Sequence, residues 1–312
     1  MIHRKSFAML WCAILCTCVL TDPAQAQKKE SDQKGPAKGK TQARKEGVLR
    51  VAITRNFFQN FSDSIVKLVI QPFPEIVKAQ TGLPGSIDLA SNSDALAEQL
   101  ANGDCHLAVF QSHEFLWARI KYPELEPLMT AVNKSTPLQA YLLVNRKSEV
   151  GQVADLEGKE VCFPSTNRPY AQAFLDYRCT KPGVAPKKFY SKVKRIEGTD
   201  EALDDLVDGQ TDAVLAEKAA WERYCKMKPT MSSELKVLQE SETFPSAVIA
   251  HIPGKMPSGW SEIFRKGMMS ANTNPSTARL MMLVKISSFE NIPEDFEARA
   301  QDILKQYPPA TK

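Results

Sequence analysis

Four short polar clusters are the residues of this chain best suited to binding a small charged molecule. They are Thr54-Arg55-Asn56, Gln111-Ser112-His113, Ser165-Thr166-Asn167-Arg168 and Glu217-Lys218. Each cluster stands where a predicted strand ends and a predicted helix begins. Hydroxyl and amide side chains at such a position, with the free N–H groups of the first helical turn, favour an anion. Helix capping is the simpler explanation of any one cluster, but four clusters of this kind indicate a shared cleft.

Sequence motifs of catalysis and of metal binding are missing from this chain. It contains no P-loop, no G-x-G-x-x-G, no G-x-S-x-G and no C-x-x-C. His113-Glu114 opens like the H-E-x-x-H zinc motif, but the fifth position is Trp117. Cys105 and His106 are neighbours on a predicted strand, so their side chains point to opposite faces. We therefore predict neither an enzyme nor a bound metal or cofactor.

The N-terminus has the pattern of a secretory signal peptide. Arg4 and Lys5 precede an apolar run over residues 7–20, and Ala24-Gln25-Ala26 forms a cleavage site. The apolar run is shorter than the ~20 residues of a membrane-spanning helix, and an uncleaved anchor is the alternative. We predict that residues 1–26 are removed and that the mature protein is periplasmic.

The positive net charge of +4 is concentrated before residue 47. Residues 27–46 contain seven Lys or Arg, three Asp or Glu and almost no apolar side chain, which predicts a flexible basic linker. Residues 47–312 carry 31 basic and 32 acidic residues. A broad basic surface for nucleic acid is therefore disfavoured, and we expect no nucleic-acid partner.

Strands alternate with helices twice along residues 47–312. This alternation predicts two α/β lobes, each a mainly parallel sheet flanked by helices. After the second run the pattern predicts helices without further strands, which return to the first lobe. We place lobe one at residues 47–140 plus 246–312 and lobe two at residues 141–245. Ligands of such sheets bind at the carboxyl ends of the strands, where the polar clusters stand.

Several motifs resemble, in order and spacing, those of the phosphate/phosphite/phosphonate-binding proteins of ABC transporters. Residues 197–221 (EGTDEALDDLVDGQTDAVLAEKAAW) are similar to the family's Gly-Ser/Thr-x-Asp start, helix and G-x-x-D-A strand, and Glu217 falls at its contact position. Residues 155–163 (DLEGKEVCF) are similar to its D-L-x-G-K-x-V-x-F segment. Residues 103–118, 241–251 and 285–303 also resemble family segments, so the resemblance covers about residues 47–306.

The resemblance implies the type II periplasmic binding protein fold, in which a two-segment hinge lets two lobes close on a solute. It implies a small anionic solute of the phosphonate, phosphite or phosphate class and an ABC transporter permease as partner. The protein would be a monomer that meets the membrane only through the transporter. The family's Ser-Thr-Ser-Gly run is replaced here by Ser165-Thr166-Asn167-Arg168.

The predicted binding residues come from the polar clusters and one nearby aromatic residue. Ser165, Thr166 and Asn167 would offer hydroxyl, amide and backbone donors to the anion, and Arg168 would add positive charge. Glu217 would pair with a cationic substituent of the ligand, and the 111–113 cluster would close from lobe one. The full set is Thr54, Asn56, Gln111, Ser112, His113, Ser165, Thr166, Asn167, Arg168, Tyr170 and Glu217.

Two alternatives stay open from the sequence. The same fold could bind an amino-acid-like or heterocyclic solute, for which the aromatic residues Phe57, Phe58 and Tyr170 are suited. A ligand-sensing module that acts through a partner receptor is the second alternative.

Four cysteines follow the predicted cleavage site, and export permits disulfides. Cys179 and Cys225 both end predicted helices of lobe two, and we predict that they pair. Cys105 and Cys162 would lie in different lobes, where a bridge would hinder closure, so we expect both to be free.

Overall fold

The computed structural model describes residues 47–58, 62–133, 137–165, 167–283 and 286–309. The predicted signal peptide and basic linker, and Thr166 of the candidate site, lie outside the described residues. The strands are β1 (Leu49–Thr54), β2 (Gly85–Ala90), β3 (Leu107–Phe110), β4 (Glu126–Val132), β5 (Ala140–Asn145), β6 (Glu160–Pro164), β7 (Lys192–Ile196), β8 (Ala213–Glu217), β9 (Leu235–Glu240), β10 (Ala247–His251) and β11 (Ser288–Glu290).

The α-helices connect these strands and cover the sheets. They are α1 (Asp63–Ile70), α2 (Phe73–Thr81), α3 (Ser93–Ala101), α4 (Ser112–Lys121), α5 (Pro169–Arg178), α6 (Pro186–Phe189), α7 (Thr199–Val207), α8 (Lys218–Met227), α9 (Pro229–Ser232), α10 (Trp260–Met269), α11 (Pro275–Leu283) and α12 (Phe296–Gln306). None of the helices in the described part of the chain is long and apolar enough to cross a membrane.

The strands form two sheets, and we call each sheet with its helices a lobe. The sheet of lobe one has the order β11-β4-β10-β3-β1-β2, and that of lobe two has the order β7-β6-β8-β5-β9. The two-lobed α/β architecture that the sequence predicts is confirmed. The chain passes between the lobes twice, from β4 to β5 and from β9 to β10. These two crossing segments pair with each other through an antiparallel bridge between Leu138 and Phe244.

Both sheets are mixed, whereas the strand–helix alternation predicted mainly parallel ones. In lobe one β1 runs parallel to β2 and β3, but β10 pairs antiparallel with β3 and β4, and β11 is antiparallel to β4. In lobe two β6 is parallel to β7 and β8, whereas β5 is antiparallel to β8 and β9. Strands β5 and β10 each follow a crossing, where the chain enters a sheet without a preceding crossover helix, and both run antiparallel to their neighbours; β11 follows α11 instead.

Alternating side chains along the strands explain how each sheet is covered on both faces. In β6, Val161 and Phe163 pack with α5, and Cys162 packs on the opposite face with α7. In lobe one, α2 and α10 cover one face and approach closely. A Cβ on Gly267 of α10 would lie 2.4 Å from the Gln80 carbonyl oxygen, so this packing requires glycine.

The proline-containing segment before Phe73 separates two helices, α1 and α2. Two features of the chain path differ from the sequence prediction. Strand β4 was not predicted. Strand β11 follows α11, so the expectation of helices alone after β10 is wrong; its three residues are too few to show an alternating pattern.

The predicted Cys179–Cys225 disulfide is also wrong, because the four cysteines of the described chain are all free. Cys179 ends α5 and is buried on the face of the second sheet that α5 covers. Cys225 lies on α8, which packs with α7 on the opposite face. The sheet therefore separates the two thiols. Cys105 and Cys162 are free as well, one in each lobe.

Candidate functional site

The candidate residues of lobe one gather around a buried carboxylate at the carboxyl ends of β1 and β3. The Asn56 amide nitrogen donates to Glu114 Oε1 at 2.6 Å, and the backbone N–H of Gln111 donates to Glu114 Oε2 at 3.4 Å. Thr54 is the last residue of β1, and its buried hydroxyl has no hydrogen-bond partner among the described residues. Because β1 and β3 are neighbours in the sheet, the first two clusters are brought together as predicted.

Glu114, which the sequence prediction missed, is the centre of this group. It is the third residue of α4 and is 3% exposed. Burial raises the pKa of its carboxyl group, and the hydrogen bonds from Asn56 and Gln111 lower it. A glutamate three residues after a polar N-cap is the capping-box pattern, and this signal was available in the sequence.

His113 is a buried aromatic contact and carries no charge at neutral pH. Its ring lies 5.1 Å from that of Trp117 and 5.8 Å from that of Phe244. Burial lowers the pKa of His113 to about 4. Its Nδ1 atom has no hydrogen-bond partner among the described residues. This imidazole can therefore act as a neutral hydrogen-bonding group but not as a cation for an anionic ligand.

The candidate residues of lobe two stand between the end of β6 and the first turn of α5. The Ser165 N–H donates to the Ile196 carbonyl at 2.7 Å, and its hydroxyl donates to the Glu197 carbonyl at 3.4 Å. Asn167 is 4% exposed, and its amide nitrogen donates to the Leu215 carbonyl of β8 at 2.7 Å. Asn167 Oδ1 has no partner within the described part of the chain.

Arg168 and Glu217 pair with each other at the same edge. The Arg168 N–H donates to Glu217 Oε1 at 2.6 Å, and Arg168 Nε lies 3.3 Å from Glu217 Oε2. Arg168 is the N-cap of α5, so the Glu217 carboxylate occupies the place where a helix N-terminus receives an anion. The sequence prediction left both charges free for a ligand, whereas the structure places them against each other; Arg168 Nε makes no hydrogen bond among the described residues.

Aromatic rings join the two lobes beside these residues. Tyr170 of α5 lies 5.3 Å from Phe244 of the second crossing segment, which also contacts His113 of α4. Tyr307, after α12, lies 4.8 Å from Phe244 and 6.1 Å from Tyr177 of α5. We call Phe244, His113, Trp117, Tyr170, Tyr177 and Tyr307 the interlobe aromatic cluster.

A family model for the ABC-transporter phosphonate periplasmic substrate-binding proteins matches residues 57–295. The chain belongs to this family. It is therefore a periplasmic-type substrate-binding protein of a transport family and not a member of an enzyme family. A comparison with curated protein sequences gives no match.

Solved structures show the same fold for this substrate-binding protein at low sequence identity. A binding component of an ABC phosphonate transporter from Pseudomonas aeruginosa is 16% identical, with 83% of this chain and 86% of that chain covered and a TM-score of 0.55. PhnD1 from Prochlorococcus marinus, in complex with methylphosphonate, is 15% identical over 83% and 97%, with a TM-score of 0.56. A Xanthomonas citri protein bound to ATP is 12% identical over 84% and 97%, with a TM-score of 0.61.

Most candidate residues of the substrate-binding protein are buried. Of the ten that the structure describes, only Asn56, Ser165 and Arg168 are partly exposed. Among the aromatic residues considered for another solute, Phe57 is half-buried and Phe58 is buried. The residues that sequence reasoning missed are Glu114 and the cluster members Trp117, Tyr177, Phe244 and Tyr307.

Two other concave regions lie away from the candidate residues. An apolar cavity of about 40 Å³ lies between α2, α10 and α11 and includes Phe73, Met268 and Met281. A polar depression at the end of the second sheet opposite the candidate residues includes Lys147, Asp155 and Asp212. Within the described ranges no group of three or more metal-ligating side chains comes together.

Proposed function

We propose that this chain captures a small anion of the phosphonate, phosphite or phosphate class between its lobes and delivers it to an ABC transporter permease. The observation that carries the proposal is the arrangement of Ser165 and Arg168 around the first turn of α5. This turn offers a hydroxyl and a guanidinium group beside a helix N-terminus, which is suited to an oxyanion. Membership of a phosphonate substrate-binding family supports the same ligand class.

Ligand capture at this place is an exchange of partners. The Ser165 hydroxyl holds only a 3.4 Å contact to a carbonyl, so it is available to a ligand oxygen. Arg168 is engaged with Glu217, so an anion competes with the carboxylate for the guanidinium. A ligand that also carries a cationic group would compensate Glu217, because it leaves no buried charge unpaired.

Opening of the lobes is part of the proposed function. Most candidate residues are buried, and the interlobe aromatic cluster holds α4, α5 and the end of α12 together. Closure about crossing segments is the known motion of two-lobed solute-binding folds. We take the described arrangement, in which aromatic rings of both lobes are in contact, as the closed arrangement. A ligand would enter after rotation about the crossing segments that pair at Leu138 and Phe244.

The remaining features of the proposal concern export and assembly. Cleavage of residues 1–26 would release the protein into the periplasm, with residues 27–46 as a flexible basic linker before lobe one. We place the lobe bounds at 47–140 plus 246–312 and 141–245. The protein would act as a monomer, without a nucleic-acid partner, and reach the membrane through the permease.

Thermal unfolding with candidate solutes tests this function. A ligand at 100 times its Kd stabilises the folded state by ~2.7 kcal/mol. We expect stabilisation by methylphosphonate, phosphite or phosphate, and a loss of affinity of about tenfold or more in Ser165→Ala. Ser276→Ala, on the exposed side of α11, is the matched control and should bind like the unmodified protein.

Other outcomes of the screen separate the alternatives. Stabilisation by amino acids or heterocycles alone would show that the same fold binds a solute of a different class. No stabilisation by any solute of the panel would contradict the proposed function and favour a sensing module.

A further inference from the structure

The first turn of α5 presents hydrogen-bond acceptors as well as donors. The Asn167 amide nitrogen must donate to the Leu215 carbonyl, because the reverse orientation would place two oxygens together at 2.7 Å. Its Oδ1 atom is then fixed as an acceptor, and it lacks a partner among the described residues although the side chain is 96% buried. The carboxylate of Glu217, joined to the next residue Arg168, stands at the same turn.

A buried acceptor without a donor is costly and indicates a missing partner. A serine hydroxyl at this place would turn to donate or accept as its partner requires, whereas the fixed Asn167 oxygen only accepts. The Asn167 oxygen therefore sets a requirement that the ligand must meet.

Oxyanions differ in whether they meet this requirement. A phosphonate monoanion keeps one P–OH group, which donates a hydrogen bond. An alkylsulfonate of the same shape has three acceptor oxygens and no donor. Next to Asn167 Oδ1, a sulfonate meets an acceptor that it cannot satisfy, and the Glu217 carboxylate at the same turn is a second group that cannot donate to it.

We propose that Asn167 and Glu217 make this chain select oxyanion ligands that carry a hydrogen-bond donor and reject those that carry none. The inference rests on the proposed function, since it concerns the same site. The donor is a P–OH group or an ammonium group close to the anion. Site-built acceptors of this kind reject analogues that lack the donor strongly, because the acceptor is left unpaired.

The charged and titratable neighbours of Asn167 Oδ1 do not supply that donor. The Arg168 backbone N–H donates to Glu217, and Arg168 Nε lies 3.3 Å from Glu217 Oε2 without making a hydrogen bond. The Tyr170 hydroxyl lies beside the Glu217 carboxylate and donates toward the Gln139 carbonyl at 3.5 Å. Lys218 of α8 donates to the Gln139 side chain at 3.3 Å. On the β7 side, Glu197 contributes its carbonyl, which accepts from Ser165.

Paired ligands measured by calorimetry on the purified protein test the proposal. Methylphosphonate and methanesulfonate differ in the P–OH group, and an aminoalkylphosphonate and the matching aminoalkylsulfonate differ in the same way but both add an ammonium group. We expect methanesulfonate to bind at least about tenfold more weakly than methylphosphonate. If P–OH is the donor, both sulfonates bind weakly; if ammonium is the donor, the aminoalkylsulfonate binds.

A pH series adds an independent readout. If P–OH is the donor, methylphosphonate affinity should fall as the pH rises through its second ionisation, because the dianion has no donor left. Constant affinity for methylphosphonate through that ionisation would exclude P–OH as the donor and leave ammonium, which the aminoalkyl pair then supports or excludes.

Two variants and one control assign the selectivity to these residues. Asn167→Ser and Glu217→Gln both replace a fixed acceptor with a group that also donates. Each variant should therefore lower the ratio of the phosphonate affinity to the sulfonate affinity by about tenfold. Glu222→Gln, an exposed carboxylate on α8, makes the same charge change and should leave the ratio unaltered. Unfolding temperatures show that each variant is folded before binding is compared.

The outcomes separate this proposal from the proposed function. Methanesulfonate carries neither donor, so if it bound the unmodified protein as tightly as methylphosphonate and the aminoalkylsulfonate do, the donor requirement would be overturned while the anion-binding function stands. Selectivity that both variants leave unchanged would overturn the roles of Asn167 and Glu217. Binding of none of the four ligands would contradict the proposed function and the donor requirement together.

Discussion

Arg168 and Glu217 form an ion pair across the carboxyl edge of the second sheet. The arginine precedes α5 and the glutamate ends β8, 49 residues further along the chain. The carboxylate accepts the backbone N–H at the N-cap of α5, and its other oxygen faces the guanidinium. This arrangement places an internal anion at the helix N-terminus where we propose that the ligand binds.

Removal of Glu217 should destabilise lobe two. Glu217→Ala leaves both the N–H and the guanidinium of Arg168 without the carboxylate, and we expect a loss of about 2 kcal/mol or more. Arg168→Ala keeps the backbone hydrogen bond and should cost less. Urea unfolding of both single variants and the double variant measures the coupling. Additive changes in the free energy of unfolding would contradict a paired role.

Acid should weaken the fold through His113. The pKa of this imidazole is about 6.5 in the unfolded chain and about 4 in the folded protein, because burial disfavours the charged form. The unfolded state therefore binds the proton at higher pH. The part of the free energy of unfolding that depends on neutral His113 is fully present above pH 6.5. It decreases by roughly 3 kcal/mol as the pH falls toward 4.

Comparison with His113→Phe isolates this effect. Phenylalanine keeps an aromatic ring against Phe244 and Trp117 and does not titrate. The neighbouring Glu114 has a raised pKa and acts with the opposite sign, but it is present in both proteins and cancels in the difference. The difference in the free energy of unfolding between the unmodified protein and His113→Phe should therefore change between pH 7 and pH 4.5. A constant difference would show that His113 does not cause the loss of stability in acid.

The edge of each sheet that carries the candidate site was predictable from sequence, but most of its partners were not. Polar residues directly after strands are a local pattern, and parallel neighbours such as β1 and β3 bring them together. Phe244 and Tyr307 contact residues far away in sequence, and no periodicity marks such pairs. The pairing of Arg168 with Glu217 and the opposite faces of Cys179 and Cys225 likewise depend on tertiary packing.

Thiol reactivity should follow the burial of the four cysteines. Burial raises the pKa of Cys105 to about 12 and of Cys162 to about 11, and that of Cys179 lies well above its usual value. Cys225 is partly exposed, so it should be the one thiol of residues 47–312 that reacts rapidly in the native protein. Labelling followed by peptide mapping measures this, with Cys225→Ser as the control.

Unfolding without a reducing agent completes the thiol test. All four thiols should then react, because none is held in a disulfide. If Cys179 and Cys225 reacted only after a reductant is added, they would be joined in the disulfide that the sequence predicted.

Tyr307 should stabilise the closed arrangement of the lobes. It is fully buried, contacts Phe244 and Tyr177, and accepts a hydrogen bond at its carbonyl from the Trp117 indole at 2.8 Å. Its hydroxyl donates to Glu242 in the second crossing segment. Since the ring bridges helices of both lobes, its removal should favour opening as well as unfolding.

Two substitutions at Tyr307 separate the ring from the hydroxyl. Tyr307→Phe should lower the free energy of unfolding by about 1 kcal/mol, because one hydrogen bond is lost, whereas Tyr307→Ala should lower it by about 3–5 kcal/mol. Small-angle scattering of Tyr307→Ala without ligand should show a larger radius of gyration, and ligand affinity should fall because less of the protein is closed. Unchanged scattering and affinity in a destabilised Tyr307→Ala would restrict the residue to packing within the core.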